Sequence, residues 1–456
     1  MGKKDVLKPI RGKKIKLFVC GPTVYDFLHI GNARVYVVFD SFVKFLKKLG
    51  YKVFYLQNIT DIDDKIILRS REKEVLPQDL STAFEKAYLE NTKSLNITSV
   101  SKYARATDYI KEIISQVERL IEKDFAYKLA DGIYFDISKF KDYGRLSGRT
   151  ALQAEDSVSR IDYSKDKRNR GDFCLWKYEQ PGEPSWDSPF GKGRPGWHIE
   201  DTAITEKFFG PQYDIHGAGV DLMFPHHEAE ITQMEAISGK KPLAKYWMHV
   251  GFLTINDQKM AKSAGVMITI NDFLKRYSSQ QLRFLLLKNL WRNPLDFSES
   301  TMFEVRSALD KIEEFVRKLK GIKQLMPNAK TKDLTEKYKD KFYTCLADDF
   351  NTPKAFAVLF DMVKDISILI DRELLDKKEA KKLLDFIKEF NGIFGIIDFK
   401  KTGKLIIPKE VLDLLKQREQ FRKEMKWDKA DEVRKEIEKY RYTVEDTKDG
   451  PVLKKM

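Results

Sequence analysis

Within its first sixty residues the chain passes from an apolar strand pattern to a helical one and back. That succession restricts the fold more than any other feature of the sequence. Ile15 to Cys20 reads as a buried strand, and Gly21-Pro22 breaks it. A helical pattern runs from about Gly31 to Leu49 and stops at Gly50, a residue suited to the position just past a helix end. Lys52 to Ile59 is a second apolar strand. Two strands joined through one helix lie parallel in a sheet, and the crossover is right-handed in nearly all proteins. The expected fold is α/β, opening on a Rossmann-type parallel sheet.

After about residue 108 the pattern changes. Gly132 to Asp136 and the Gly/Pro/Trp-rich stretch from Gly182 to Trp197 read as an inserted, loop-rich module. The α/β pattern then resumes. Tyr213 to His216 is a short strand, Gly217 to Gly219 a turn, Pro225 to Ser238 a helix and Tyr246 to Val250 a strand. Residues from about 300 to 390 are almost wholly helical in pattern, an α-helical bundle. The last section carries a charged helix, Lys409 to Lys439, and a short extended end.

Charge narrows the partner. With 83 Lys and Arg against 69 Asp and Glu, the net charge is +14. That favours a polyanion such as nucleic acid, or else reflects a lysine-rich surface that keeps the protein soluble. No apolar run reaches about 18 residues, so no membrane span is expected. Met1 to Lys16 is basic and lacks an apolar core, unlike a secretory signal. Cys20, Cys174 and Cys345 lie too far apart in sequence to suggest a disulfide framework, and a cytoplasmic location is expected.

Three groups of residues carry chemistry. His29-Ile30-Gly31-Asn32 opens a helix after a strand and a loop. A helix start attracts phosphate, Gly31 permits close approach and His29 can donate to a phosphate oxygen; capping the helix is the alternative for His29. Lys259 and Lys262, three apart beside Ser263, can clamp a polyphosphate, or belong to a solvated loop. His226 and Glu230 stand at i and i+4 on one helix face, and Cys20 ends the first strand. One Cys, one His and one Glu with an open position suit zinc; a buried free Cys beside an exposed helix face is the alternative.

Taken together and in order, about 230 residues apart, His29-to-Asn32 and Lys259-to-Ser263 resemble the two nucleotide signatures of class I aminoacyl-tRNA synthetases. Asn32 stands where the family usually has a second histidine, and Ala261 where it usually has serine. More specifically, the segments beginning Cys20-Gly-Pro-Thr, His29-Ile-Gly-Asn, Asn58-Ile-Thr-Asp, Gly171-Asp-Phe-Cys, Gly193-Arg-Pro-Gly and Asp214-Ile-His-Gly resemble cysteinyl-tRNA synthetase. Asp348-Asp-Phe-Asn and the stretch from Trp427 to Asp446 extend the resemblance over essentially the whole chain.

The resemblance implies ATP-dependent charging of tRNA(Cys) with L-cysteine by a monomer, with Mg2+ accompanying ATP. It implies ATP contacts from His29, Gly31, Asn32, Asp221, Lys259, Lys262 and Ser263, with His29, Lys259 and Lys262 catalytic. Cysteine would meet Cys20, Gly21, Thr60, Trp197 and His216. His198 and His227 are further candidates, whereas His249 reads as structural. The family's zinc is held by two Cys, a His and a Glu. Three of these positions are Cys20, His226 and Glu230, but the second Cys is Asp201 here. That leaves a Cys/Asp/His/Glu site, three ligands with water, or no zinc.

At the far end, Arg422, Asp431 and Asp446 match the positions that meet the first anticodon base, while Trp427 is expected to pack the helix. The implied division is a Rossmann catalytic domain in two halves (1–108 and 196–245) around a connective insert (109–195). A stem-contact region with the lysine loop (246–300), a helical bundle (301–400) and an anticodon-binding domain (401–456) follow. Two other readings share the catalytic core: a ligase joining cysteine to an amino-sugar, which would lack the anticodon-reading end, and a silent RNA-binding paralogue.

Overall fold

The computed structural model describes residues 4–149, 166–256, 258–259, 267–325, 333–400, 409–440, 442–447 and 450–455. They form two compact units, Met1–Asp398 and Phe399–Met456. In the first, β1 (Lys14–Val19), α1 (Ile30–Lys48) and β2 (Lys52–Ile59) make the expected parallel unit. β3 (Lys102–Arg105), α2 (Ile199–Phe209), β4 (Tyr213–Gly219), α3 (Glu228–Ser238) and β5 (Ala244–Val250) complete the layer. The strand order is β3-β2-β1-β4-β5, with every neighbouring pair parallel. Leu17, Phe18 and Val19 are fully buried, as in a sheet covered on both faces. The chain winds from β1 to β3, then returns to the other side of β1 for β4. That reversal opens a crevice beyond the C-terminal ends of β1 and β4, where α/β proteins bind ligands.

The insert is a four-stranded antiparallel sheet of Ala126–Lys128, Gly132–Phe135, Phe173–Tyr178 and Gly193–Pro195. Phe135, Phe173 and Trp176 pack its core with the helix Ile110–Glu122. Helices Glu299–Gly321, Leu334–Ala347, Thr352–Asp371 and Lys377–Phe394 supply the helical part of the first unit. Two buried arginines brace it. Arg34 donates to the carbonyls of Gly251, Phe252, Leu290 and Asn293. Arg283, on the helix Ser279–Leu287, bonds Asp40 Oδ2 at 2.9 Å and the carbonyls of Leu95 and Phe394.

Three expectations are corrected. Gly217 to Gly219 is strand, not turn: Gly217, Ala218 and Gly219 pair with Met248, His249 and Val250 of β5. A Cβ on Gly217 would lie 2.2 Å from the Phe39 ring, so glycine here serves close packing. Regular helix begins at Glu228 rather than Pro225, because Phe224 is extended (φ −140°, ψ 130°) and Met223–His227 forms a wider turn. In the second unit the charged stretch is two helices, Lys409–Lys423 and Trp427–Lys439. Met425 sits at φ +54° between them, which ends one helix and lets the next pack back. Both helices cover the hairpin Tyr442–Thr447/Gly450–Lys455 through Val411, Val433, Ile437 and Val444.

Candidate functional site

A cleft of about 510 Å³ lies beyond the strand ends. Cys20 and Gly21 follow β1, Thr60 follows β2, Asp221 follows β4, and all four line it. Gly21 is required by a close approach: its N–H meets Asn58 Oδ1 at 2.5 Å, and a Cβ would fall 1.7 Å from the Asn58 carbonyl oxygen. Asn58 Nδ2 also donates to Thr60 Oγ1 at 3.3 Å, so one side chain orients both cleft edges. Its place in the Asn58-to-Lys65 segment was the signal; its role was not legible.

His29, Gly31 and Asn32 line the same cleft at the start of α1. His29 Nδ1 accepts from the Asn32 N–H at 3.3 Å, and Asn32 Oδ1 accepts from the His29 N–H at 3.2 Å. His29 therefore does cap the helix. With Nδ1 accepting, the neutral ring carries its proton on Nε2. The side chain of Lys259, and Lys262 and Ser263 entirely, lie outside the described residues. The flanks of their loop are described. The Ile30 N–H bonds the Ile268 carbonyl at 3.0 Å, the Ile270 N–H bonds that of Leu28 at 2.9 Å, and Met267 lines the cleft.

At the inner end, Cys20, Asp201, His226 and Glu230 offer ligand atoms all within 4.8 Å of one another. His226 Nε2 lies 3.0 Å from Asp201 Oδ2 and 3.1 Å from Glu230 Oε1. One imidazole proton cannot serve both carboxylates. Both Glu230 oxygens and Asp201 Oδ1 are buried without a hydrogen bond. Burial, then the nearby Glu230 and Asp201, raises the Cys20 thiol pKa, and burial with Asp201 raises that of Glu230. Three groups that become anionic thus converge with no cation among them. That donor set fits a divalent metal. Trp197 stacks on His226 at 4.5 Å and walls the cleft beside it.

His216 does not line the cleft. It sits behind Cys20, its Nε2 3.3 Å from the sulfur and its Nδ1 2.6 Å from the Tyr213 hydroxyl. His227 Nε2 approaches the same sulfur at 3.4 Å, while His227 Nδ1 meets His249 Nε2 at 2.8 Å. His198 Nδ1 meets His226 Nδ1 at 2.8 Å, which orients the latter ring. Cys20, His216, His227 and Glu230 form a second, overlapping group of donors. His249, read from sequence as merely structural, joins this chain of imidazoles. Burial lowers the pKa of His198, His216 and His227, and takes His249 to about 4, which keeps these rings neutral at pH 7.

In the second unit Arg422 and Asp446 are ion-paired to one another. Arg418, unremarked in the sequence because its surroundings are dense in both charges, is buried and forks onto Asp446 with two 3.0 Å bonds. These hydrogen bonds, that of Arg418 first, take the Asp446 carboxyl down to about 2. Asp431 is exposed on the second helix. Trp427 is 58% exposed, with the Arg422 guanidinium of the preceding helix 5.9 Å from its ring.

Residues 6–307 match the family of tRNA synthetases class I (C) catalytic domain, and residues 341–398 the DALR domain. The fold agrees with a solved Mycobacterium tuberculosis methionyl-tRNA synthetase in complex with methionyl-adenylate. It has a TM-score of 0.63 at 13% identity, over 84% of this chain and 92% of that one. Sheet, cleft and catalytic-domain match define a class I aminoacyl-tRNA synthetase.

Residues 407–450 match the cysteinyl-tRNA ligase anticodon binding domain. The chain is 45% identical to the cysteine–tRNA ligase of Thermoplasma acidophilum, over 98% of its own length and 97% of the relative's. It is 41% identical to that of Coxiella burnetii strain RSA 493, over 98% and 96%. The chain belongs to the cysteine–tRNA ligase family.

Proposed function

We infer that this protein attaches L-cysteine to tRNA(Cys) in two steps. The observation that carries this is one cleft that joins a phosphate-attracting helix start, the flank of the lysine loop and a buried Cys/Asp/His/Glu set. In the first step the cysteine carboxylate attacks the α-phosphorus of ATP, and pyrophosphate leaves. In the second a terminal ribose hydroxyl of the tRNA attacks the acyl carbon of cysteinyl-adenylate, and AMP leaves. The protein mainly positions reactants and stabilises phosphate charge.

The N–H groups at the start of α1 face the phosphates, and Gly31 lets them approach. His29, its Nδ1 held by the Asn32 N–H, donates to a phosphate oxygen through Nε2. Lys259, Lys262 and Ser263 stabilise the charge growing on pyrophosphate, and Asp221 contacts the nucleotide. Thr60, Gly21 and Trp197 hold the amino acid, and His216 orients Cys20 from behind the wall. Cys20, Asp201, His226 and Glu230 would hold zinc, which when bound would supply a soft acceptor for a thiolate that a serine hydroxyl does not match. Mg2+ accompanies ATP. A hydrophobic pocket alone would separate such close analogues by only about 1–3 kcal/mol.

Arg422, Asp431 and Asp446 read the first anticodon base, with carboxylate acceptors facing a guanine edge. The six-part division of the chain, a monomeric state and a cytoplasmic location belong to the same proposal. Among the described residues no helix is long and apolar enough to cross a membrane.

Cysteine-dependent exchange of pyrophosphate into ATP, followed by charging of tRNA(Cys), tests the reading. Exchange and charging together support it. Exchange with transfer to an amino-sugar but not to tRNA, or no exchange at all, overturns it. Lys259→Ala or Lys262→Ala should cut exchange far more than cysteine binding. Unchanged exchange in both variants removes the loop from the mechanism.

A further inference from the structure

A second hollow, of about 840 Å³, lies at the opposite end of the sheet from the reaction cleft. It is bounded by the first residues of β1 and β2, the ends of α1 and α2, and the start of β4. Arg11, Lys14, Lys47, Lys52 and Lys240 stand around it, and among the described residues none of them has a carboxylate partner within salt-bridge distance. Lys16 is committed to the Phe209 carbonyl at 2.5 Å. The lining contains one carboxylate, Asp214, and it is already engaged by the N–H groups of Ile10 and Lys16 at 2.6 and 2.8 Å. Among the described residues the cationic rim therefore outnumbers the single carboxylate that lines the hollow.

The floor is aromatic. Phe54 stacks on Phe208 at 6.1 Å and meets Phe209 edge-on at 5.8 Å, yet it remains 40% exposed. Ile10, across the hollow, is half exposed. Exposed apolar surface in a concavity ringed by cations matches a ligand that carries both phosphate and a flat ring. Aromatic floors stack bases of any identity, and lysines track phosphate.

We propose that this hollow binds a nucleotide, with its base on Phe54 and Phe208 and its phosphates among Arg11, Lys14, Lys47, Lys52 and Lys240. The nucleotide is either free or part of a single RNA strand.

The test uses the full-length protein with its reaction cleft filled by a non-hydrolysable cysteinyl-adenylate analogue. ADP and octauridylate are titrated separately, and binding is followed by calorimetry. One further equivalent of either probe per chain, weakened by added salt, is expected. The double variant Lys14→Glu/Lys52→Glu should weaken it at least tenfold, and Phe54→Ala several-fold, while pyrophosphate exchange stays unchanged. Lys240→Glu, on a surface loop, repeats the charge test should the double variant fold poorly. Binding of ADP assigns a free nucleotide, and binding of octauridylate alone assigns a strand. Absence of binding by both probes at millimolar concentration, or binding indifferent to every one of these variants, overturns the proposal.

Discussion

The first unit buries two clusters of charge, and they are built in opposite ways. Around Asp40 every demand is met. Its carboxylate accepts from the Thr98 and Ser99 N–H groups, the Ser99 hydroxyl, Lys44 and Arg283. Burial alone would raise its pKa, but Arg283 and Lys44 outweigh that and hold it below the usual carboxylate range. Around Cys20 the demands are left open. Two carboxylates and a thiol converge with no cation among them, and three carboxylate oxygens have no hydrogen bond. Asp40 and Arg283, like Asp201 and Glu230, are fully buried. A closed set of charges ties elements of a fold together, whereas an open set marks a place prepared for a ligand.

The largest expected effect breaks the closed cluster. Arg283→Ala leaves buried Asp40 with Lys44 as its one cation and takes the donor from the Leu95 and Phe394 carbonyls, and should cost about 3–5 kcal/mol in denaturant-induced unfolding. A loss below about 1 kcal/mol would show that the cluster does not brace the fold. Glu230→Gln should behave in the opposite way. It removes one of the converging charges, so the metal-free protein should be at least as stable as the wild type. Metal affinity should fall roughly a hundredfold, read as metal content by mass spectrometry. Destabilisation of the metal-free protein to the extent seen with Arg283→Ala would erase the contrast.

Asp201→Cys sharpens the contrast from within the open cluster. A thiolate in place of a carboxylate should raise zinc affinity about tenfold and need not raise activity, since the substrate thiol would otherwise supply the second sulfur. Affinity unchanged by this substitution would place Asp201 off the metal.

The smallest effect concerns the Arg418–Asp446 clasp, an exposed counterpart of the Asp40 cluster. Asp446 falls from an ordinary 3.8 to about 2 on folding. A carboxyl whose pKa is depressed by folding adds stability above its unfolded value and loses it as pH falls through the folded one, here between about 4 and about 2. Solvent screening limits the contribution to about 0.5 kcal/mol. An NMR titration should find Asp446 near 2 in the wild type and closer to 4 in Arg418→Ala. An ordinary titration in the wild type would mean that the clasp does not hold in solution.

Local pattern made much of this molecule legible. Continuous apolar runs bounded by Gly21-Pro22 and Gly50 placed β1, α1 and β2, because strand burial and helix ends depend on near neighbours. The four-residue spacing of His226 and Glu230 did bring them together, although His226 lies in the turn before the helix rather than on its face. Glycine at 217 and 219 misled, because a strand that needs close packing and a turn that needs backbone freedom call for the same residue. Met425 gave no warning that it would separate two helices, since nothing in its side chain marks a left-handed backbone.

By itself, then, the sequence determined the parallel sheet, the helix start at His29 and the pairing of His226 with Glu230, all consequences of periodicity and short spacing. Only the tertiary structure decided which buried charges are balanced. Arg283 meets Asp40 across 243 positions, His216 meets Cys20 across 196, and Arg418 meets Asp446 across 28. Such partners are chosen by how elements pack, and electrostatic energy depends on separation in space and on burial, neither of which a linear chain displays.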